Sequence, residues 1–277
     1  MYLSLSILAS IGIFWSFRMF QSYRIHTRQG IMINYVVAGI TGLFAFQPRE
    51  FWFDAQWFWP SAALGILFYV IFRVMAKVTQ ENGMSVSSIA TKMSVVMPVS
   101  MGIIILDESL SWIKLSGITM GLISIVLSAG NNMKSGQWIW PMILFLGSGS
   151  IDSFLKLFQQ FLVSEDAFPF FICNIFFSAF ITSLVHHLFT KDKKIQLKTV
   201  GGGIVLGAVN FAALYFILKS LAMPGWESSI VFPINNFGII AGSTLLAVIA
   251  FREKINIRGW LGFLFASLSI LLLYFSK

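Results

Sequence analysis

One cysteine, Cys173, stands in 277 residues, which excludes a disulfide framework and a thiolate metal cluster. Histidine is almost as scarce, and His26, His186 and His187 lack the spacing of a zinc motif. Charge is the third shortage. Asp, Glu, Lys and Arg make up 11% of the chain, against roughly a quarter in soluble domains, and a water-soluble fold of this size must cover a large aqueous surface with polar groups. No Gly-rich phosphate loop ending in Lys and Ser or Thr occurs, so direct ATP drive is not expected. No Ser–His–Asp cluster, metal set or compact catalytic motif is visible either. The chain therefore reads as a non-enzyme that needs no cofactor.

What is present is apolar: 57% of the residues are hydrophobic, with 29 Phe and 9 Trp. That surplus is expected to face lipid, placing the chain in a membrane, here taken as the cell membrane. The net charge of +8 lies mainly between the apolar runs, so it reads as membrane topology and not as a nucleic-acid surface. Met1 leads straight into an apolar run without a basic leader or small-residue cleavage motif. That run is read as the first helix.

A membrane span needs about 20 apolar residues. Candidate runs fall at 2–20, 30–47, 57–79, 86–106, 112–130, 138–160, 168–189, 200–221, 229–250 and 257–275. Their length selects helices over barrel strands, which alternate over about ten residues. A helix also closes its own backbone hydrogen bonds, as hydrocarbon requires. The fold class predicted is an all-α polytopic membrane protein of ten transmembrane helices. Gln47-Pro48-Arg49-Glu50 ends the second run, Trp52, Trp57 and Trp59 flank the third, and Trp138 and Trp140 flank the sixth. Indoles prefer the headgroup layer. Thr190-Lys191-Asp192-Lys193-Lys194 reads as a loop, and Pro224-Gly225 breaks the chain before the ninth run.

A weak internal symmetry runs through the chain. Ser10, Phe14 and Asn34 match Ser150, Phe154 and Asn174; Gly65 and Gly83 match Gly207 and Gly225; Glu108, Leu110 and Gly117 match Glu253, Ile255 and Gly262. The pairs are collinear, which divides the chain into five-helix units at 1–130 and 137–277. An odd number of spans per unit makes the repeats inverted, an arrangement suited to alternating access. Most loop Lys and Arg, including Arg24, Arg28, Lys198, Arg252, Lys254 and Arg258, follow odd-numbered spans. Positive-inside counting puts those loops in the cytoplasm and both termini outside.

Polar residues inside apolar runs carry the functional reading. Lys92 lies well inside the fourth span, where a charge costs at least about 2.5 kcal/mol. It is expected to face the bundle interior, either in a structural ion pair or holding an anionic substrate group. Asp152 and Lys156 share a face of the sixth span. They either neutralise each other or leave Asp152 to partner Lys92. Asn34 and Asn174 read as helix glue. Asn235 and Asn236 follow Pro233, whose ring can open the helix, and with Asn210 they are candidates to orient polar substrate atoms. Trp15, within the first span, is the aromatic candidate. The expected substrate-binding set is thus Lys92, Asn210, Asn235, Asn236, Asp152 and Trp15.

Asp107-Glu108-Ser109-Leu110-Ser111 before Gly117, and Arg252-Glu253-Lys254-Ile255-Asn256 before Gly262, resemble the drug/metabolite transporter superfamily, most closely its EamA-like members. The likeness covers almost the whole chain. It implies inverted repeats about a central cavity, transport by alternating access, and termini that often lie in the cytoplasm, against the charge count. Glu108 and Glu253 match the family's acidic position and are read first as favouring the positive end of the helix that follows. The familiar Pro-Val stands at Pro98-Val99 without an equivalent in the second half.

The function expected is secondary transport of a small polar or amphipathic metabolite, of the amino-acid or organic-anion kind. Its partners are a small-molecule substrate and membrane lipids, with coupling to protons or a counter-substrate left open, oligomeric state unassigned, and no nucleic acid. The alternatives are a lipid scramblase or flippase, favoured by a lateral cleft, and a structural membrane partner, favoured by a solid core.

Overall fold

A computed structural model describes residues 1–46, 55–105, 110–129, 138–164, 167–190, 194–221, 223 and 228–275. Arg49, Trp52, Glu108, the charged stretch 191–193 and Pro224-Gly225 lie outside them. The helices are α1 (Tyr2–Ser22), α2 (Thr27–Phe46), α3 (Ala55–Glu81), α4 (Met84–Met93), α5 (Val96–Ile105), α6 (Trp112–Ala129), α7 (Ile139–Phe161), α8 (Phe168–Leu188), α9 (Leu197–Leu221), α10 (Ser228–Phe251) and α11 (Ile257–Phe275). Among the described residues there is no strand. Eight segments among the described residues, against the ten spans expected, are long and apolar enough to cross a membrane, so the protein is a helical, polytopic integral membrane protein. Outward-facing Leu8, Phe44, Ile66, Val126, Ile181 and Leu245 are exposed, which only hydrocarbon makes favourable for a surface this apolar.

Each predicted run coincides with a helix to within a few residues, with one exception. The run 86–106 is expected to be a single helix, yet it is built from α4 and α5, parted at Ser94-Val95. The cause is Pro98. A continuous helix would need an N–H at 98 to bond the Ser94 carbonyl, and the pyrrolidine ring both removes that donor and crowds that carbonyl. The Ser94 carbonyl instead accepts from Met97 N at 2.9 Å, and the ladder resumes where Val99 N meets the Val95 carbonyl at 3.2 Å. Pro141 and Pro169 stand in the first turn, where the N–H has no intrahelical partner, while α3 runs on through Pro60 and α10 through Pro233, so the opening expected at Pro233 is not formed.

Helix packing joins the two halves of the chain along their whole length. α6 lies on α11, α2 on α8 and α4 on α10; α2 packs on α9 as α8 does on α3; α1 packs on α9 and α10 as α7 packs on α3 and on the α4–α5 pair. Glycines set the closeness. A Cβ on Gly65 would meet the Ile175 carbonyl at 2.5 Å, and one on Gly207 would meet the Asn34 carbonyl at 2.8 Å. At the α6–α11 seam a Cβ on Gly117 would meet Leu273 at 2.9 Å, one on Gly262 would overlap Ser128, and Ser269 Oγ donates to the Gly117 carbonyl at 2.7 Å. These are small-residue contacts of the kind that let helix backbones approach in lipid.

Some contacts occur on one side only. α1 also packs on α3 and α4, and α11 on α4, whereas α7 with α9, α7 with α10, and α6 with α10 make no comparable contact among the described residues.

The connections after α1, α3, α8 and α10 share one end of the molecule, and polar bonds knit that end together. Arg18 NH1 donates to the Gln80 carbonyl at 3.1 Å, Gln80 Nε2 donates to Thr27 Oγ1 at 3.0 Å, Gln29 Nε2 donates to the Lys194 carbonyl at 3.1 Å, and Arg18 Nε stands 3.6 Å from Glu253. The basic loops singled out by charge counting thus form a single rim.

Candidate functional site

The break in the fourth span positions the site. α4 presents Ser85, Ser88, Ile89 and Lys92 along one face at helical spacing. The first three are buried while Lys92 is half-buried. One residue beyond α4, Ser94 turns its hydroxyl to the Thr91 carbonyl at 2.6 Å and towards Asp152 Oδ2 at 3.3 Å. The Lys92 ammonium acts electrostatically on that same carboxylate, yet it makes no ion pair or side-chain hydrogen bond among the described residues. The sequence left Lys156 and Lys92 open as partners of Asp152; the carboxylate interacts with Lys92 and with Ser94 of the broken span.

Asp152 is exposed although it points inward. The same face of α7 carries Phe145, Ser148 and Gly149 one and two turns earlier. Phe145 and Ser148 are buried, and a Cβ on Gly149 would run into the Met97 side chain of α5. Accessible surface on a face that is otherwise packed means open space inside the bundle beside the carboxylate. An ion at this depth is retained only against water, a ligand or a partner charge.

The other expected site residues divide. Asn235 is buried on α10, and its Oδ1 has no partner among the described residues. It shares a face with Ile239, which clusters with Phe14 of α1 and Met84 of α4. Asn236, its neighbour, is half-buried. Asn210 has a partner in the core instead: its Nδ2 donates to Asn34 Oδ1 at 3.0 Å, tying α9 to α2. Asn174 makes the corresponding tie from α8 to α3, donating to Ser61 Oγ at 2.6 Å and to the Phe58 carbonyl at 3.0 Å. Trp15 is 39% exposed on α1, one turn from Ile11 and Gly12, which lie against Gly242 of α10 and Val209 of α9.

Glu253 departs from its expected role. It does not serve the helix that follows it; Asn256 Oδ1 caps α11 by accepting from Gly259 N at 2.9 Å. The Glu253 carboxylate accepts from Met84 N at 3.0 and 3.2 Å, at the start of α4 in the other half of the chain. Gly83, at φ +102°, admits it: a Cβ there would stand 2.7 Å from Glu253 Oε2. Glu108, the acidic residue matched to it, lies outside the described residues.

No family model matches the chain. A Haemophilus influenzae (strain ATCC 51907 / DSM 11121 / KW20 / Rd) protein described as an uncharacterized protein is 26% identical over 285 residues, spanning 98% of this chain and 96% of the relative. A crystal structure of a protein 15% identical superposes with a TM-score of 0.61 over 98% of this chain and 99% of the other. At that identity the likeness is one of fold: the whole chain shares its helical architecture with a known structure.

Proposed function

We propose that the protein is a secondary transporter of small polar or amphipathic metabolites, of the amino-acid or organic-anion class, working by alternating access in the cell membrane. The observation that carries this reading is the discontinuous fourth span, with an unpaired Lys92 beside its break and Asp152 open to the interior opposite. The break is a tightened turn, with Val95 N and Met97 N reaching the carbonyls three residues back at 3.5 and 2.9 Å, and interrupted helices of this kind lie beside substrate sites in carriers. Lys92 meets a carboxylate or other anion, Asp152 and the unpartnered Asn235 Oδ1 take the substrate's donors, and Asn236 and Trp15 complete the wall. A zwitterion matches one cation and one anion held apart.

The packing pattern supports two inverted units, 1–130 and 137–277, ten spans in all; an EamA-like membership of the drug/metabolite transporter superfamily rests on the resemblance of the two acidic turns. Residues matched in sequence do matched work: Gly65 and Gly207 in close approach, Asn174 and Asn34 in helix ties, Gly117 and Gly262 in the seam. In inverted repeats the two ends are images of each other, so contacts formed at one and missing at the other describe one state of the cycle. Here the basic rim is shut by α1, α3, α4 and α11, and α7 lacks the equivalent contacts with α9 and α10.

Counterflow in proteoliposomes tests the proposal, screening amino acids, organic anions, cations and sugars with wild type and Lys92→Met side by side. A substrate carried by wild type and lost in the variant is expected. The absence of substrate-dependent exchange across the whole screen, or exchange unchanged in Lys92→Met, would refute the assignment.

A further inference from the structure

Away from the Lys92–Asp152 region, the basic rim contains a pocket of about 170 Å³ lined by Thr27 and Arg28 of α2 and by Arg73, Lys77 and Gln80 of α3. Residues 73, 77 and 80 fall on one face of α3, and Thr27 and Arg28 open α2, so two helices bring three cationic side chains around one space. Among the described residues the carboxylate paired with these cations is Glu81, 3.9 Å from Lys77 on the exposed side. Three cations there stand against one anion.

The side chains are held in place by neighbours that leave their charge unmatched. Arg73 NH1 stands 3.2 Å from His186 Nδ1 and its guanidinium lies over the Tyr69 ring; Tyr69 Oη is also 2.8 Å from that nitrogen. A guanidinium can only donate, so Nδ1 accepts and offers no countercharge. The Lys77 ammonium sits 3.6 Å from the centre of the Trp140 ring, which positions it without neutralising it. Arg28 Nε is buried without a hydrogen-bond partner among the described residues, a donor that an occupant of the pocket would satisfy.

We infer that this pocket binds a phosphate-bearing anion, with Arg28, Arg73 and Lys77 as its ligands. A carboxylate is satisfied by one guanidinium, whereas a phosphate group offers oxygens in several directions to donors converging from two helices. Its place at the end of the spans puts the pocket at headgroup depth, where basic pockets between helices take anionic lipid. A free phosphorylated solute presents the same group.

Native mass spectrometry of the detergent-purified full chain, mixed separately with phosphatidylglycerol, phosphatidylcholine and inorganic phosphate, distinguishes the two sources. Wild type is expected to retain one phosphatidylglycerol roughly tenfold more than phosphatidylcholine, and Arg28→Gln/Arg73→Gln to lose that preference. The charge-matched Lys254→Gln/Arg258→Gln, exposed at the same end, is expected to keep it. Binding of phosphate without a lipid preference, lost in the same pocket variant, assigns the site to a soluble phosphate. Equal retention of both lipids with no phosphate bound by wild type overturns the inference. So does undiminished binding in the pocket variant, or equal loss in the surface variant. If the double variant does not elute as a single species, Arg28→Gln alone carries the comparison.

Discussion

Glu253 and Met84 are 169 residues apart in the chain, and the carboxylate of one accepts the backbone N–H of the other at 3.0 Å. The bond fastens the α10–α11 connection to the first turn of the broken span, and Arg18 stands 3.6 Å from the same carboxylate. A charged acceptor at a helix start meets both an unpaired donor and the positive end of the helix.

Replacing Glu253 with Gln keeps the shape and removes the charge. The expected loss is about 1–2 kcal/mol, the range of a charge-assisted cap, read as a lower Tm in detergent with the elution profile unchanged. A Tm equal to wild type would mean that the contact adds nothing to the rim.

Lys92→Met is expected to separate stability from function. An ammonium inside a span costs at least about 2.5 kcal/mol, and Lys92 feels the Asp152 carboxylate without a close ion pair among the described residues, so the apolar substitute should leave the Tm close to wild type while counterflow falls roughly tenfold or more, as for a residue kept for its site. A variant that transports normally, or that unfolds, contradicts this account of the side chain.

Glycines separate by what surrounds them. Gly65→Ala drives a Cβ to 2.5 Å from the backbone of α8, whereas at Gly201 nothing lies within 4 Å. Thermal unfolding should place Gly65→Ala at least about 2 kcal/mol below wild type, the scale of an overpacked core. Gly201→Ala should lie at or above it, by up to about 1 kcal/mol of helix propensity.

Charge counting assigns the basic rim to the cytoplasm. With Cys173 replaced by Ser, a membrane-impermeant thiol reagent added to intact cells should label Leu110→Cys, which is exposed ahead of α6, and should leave Lys254→Cys unlabelled. The reverse pattern would put the rim outside.

Helix limits were legible in the sequence because hydrocarbon demands long apolar runs, and each run ends where polar residues resume. The interruption at Ser94-Val95 was not legible from hydropathy, since residues 95–99 are as apolar as an intact span; the signal lay in Pro98, read four residues back to the carbonyl it displaces. Lys92 and Asp152 stood out by their cost in lipid, but their pairing needed the packing of α4 and α5 on α7. Asn210 and Asn34 were both noticed, and only the close approach licensed by Gly207 turned them into a pair. The destination of Glu253 could not be read locally, because nothing within α10 or α11 names a donor in the other half of the chain.

The seam between α6 and α11 also bears on how such a molecule could arise. Its two faces belong to the last helix of each unit, and both are lined with glycine and serine. Pieces made separately, 1–130 and 137–277, would each carry one mating surface, so co-expressed fragments should be recovered together by affinity capture of either. Gly117→Leu should lower the recovery without abolishing it, because α2 on α9, α1 on α9 and α3 on α8 also join the two pieces. A joint that works without a covalent link is what a fused ancestral pair would retain.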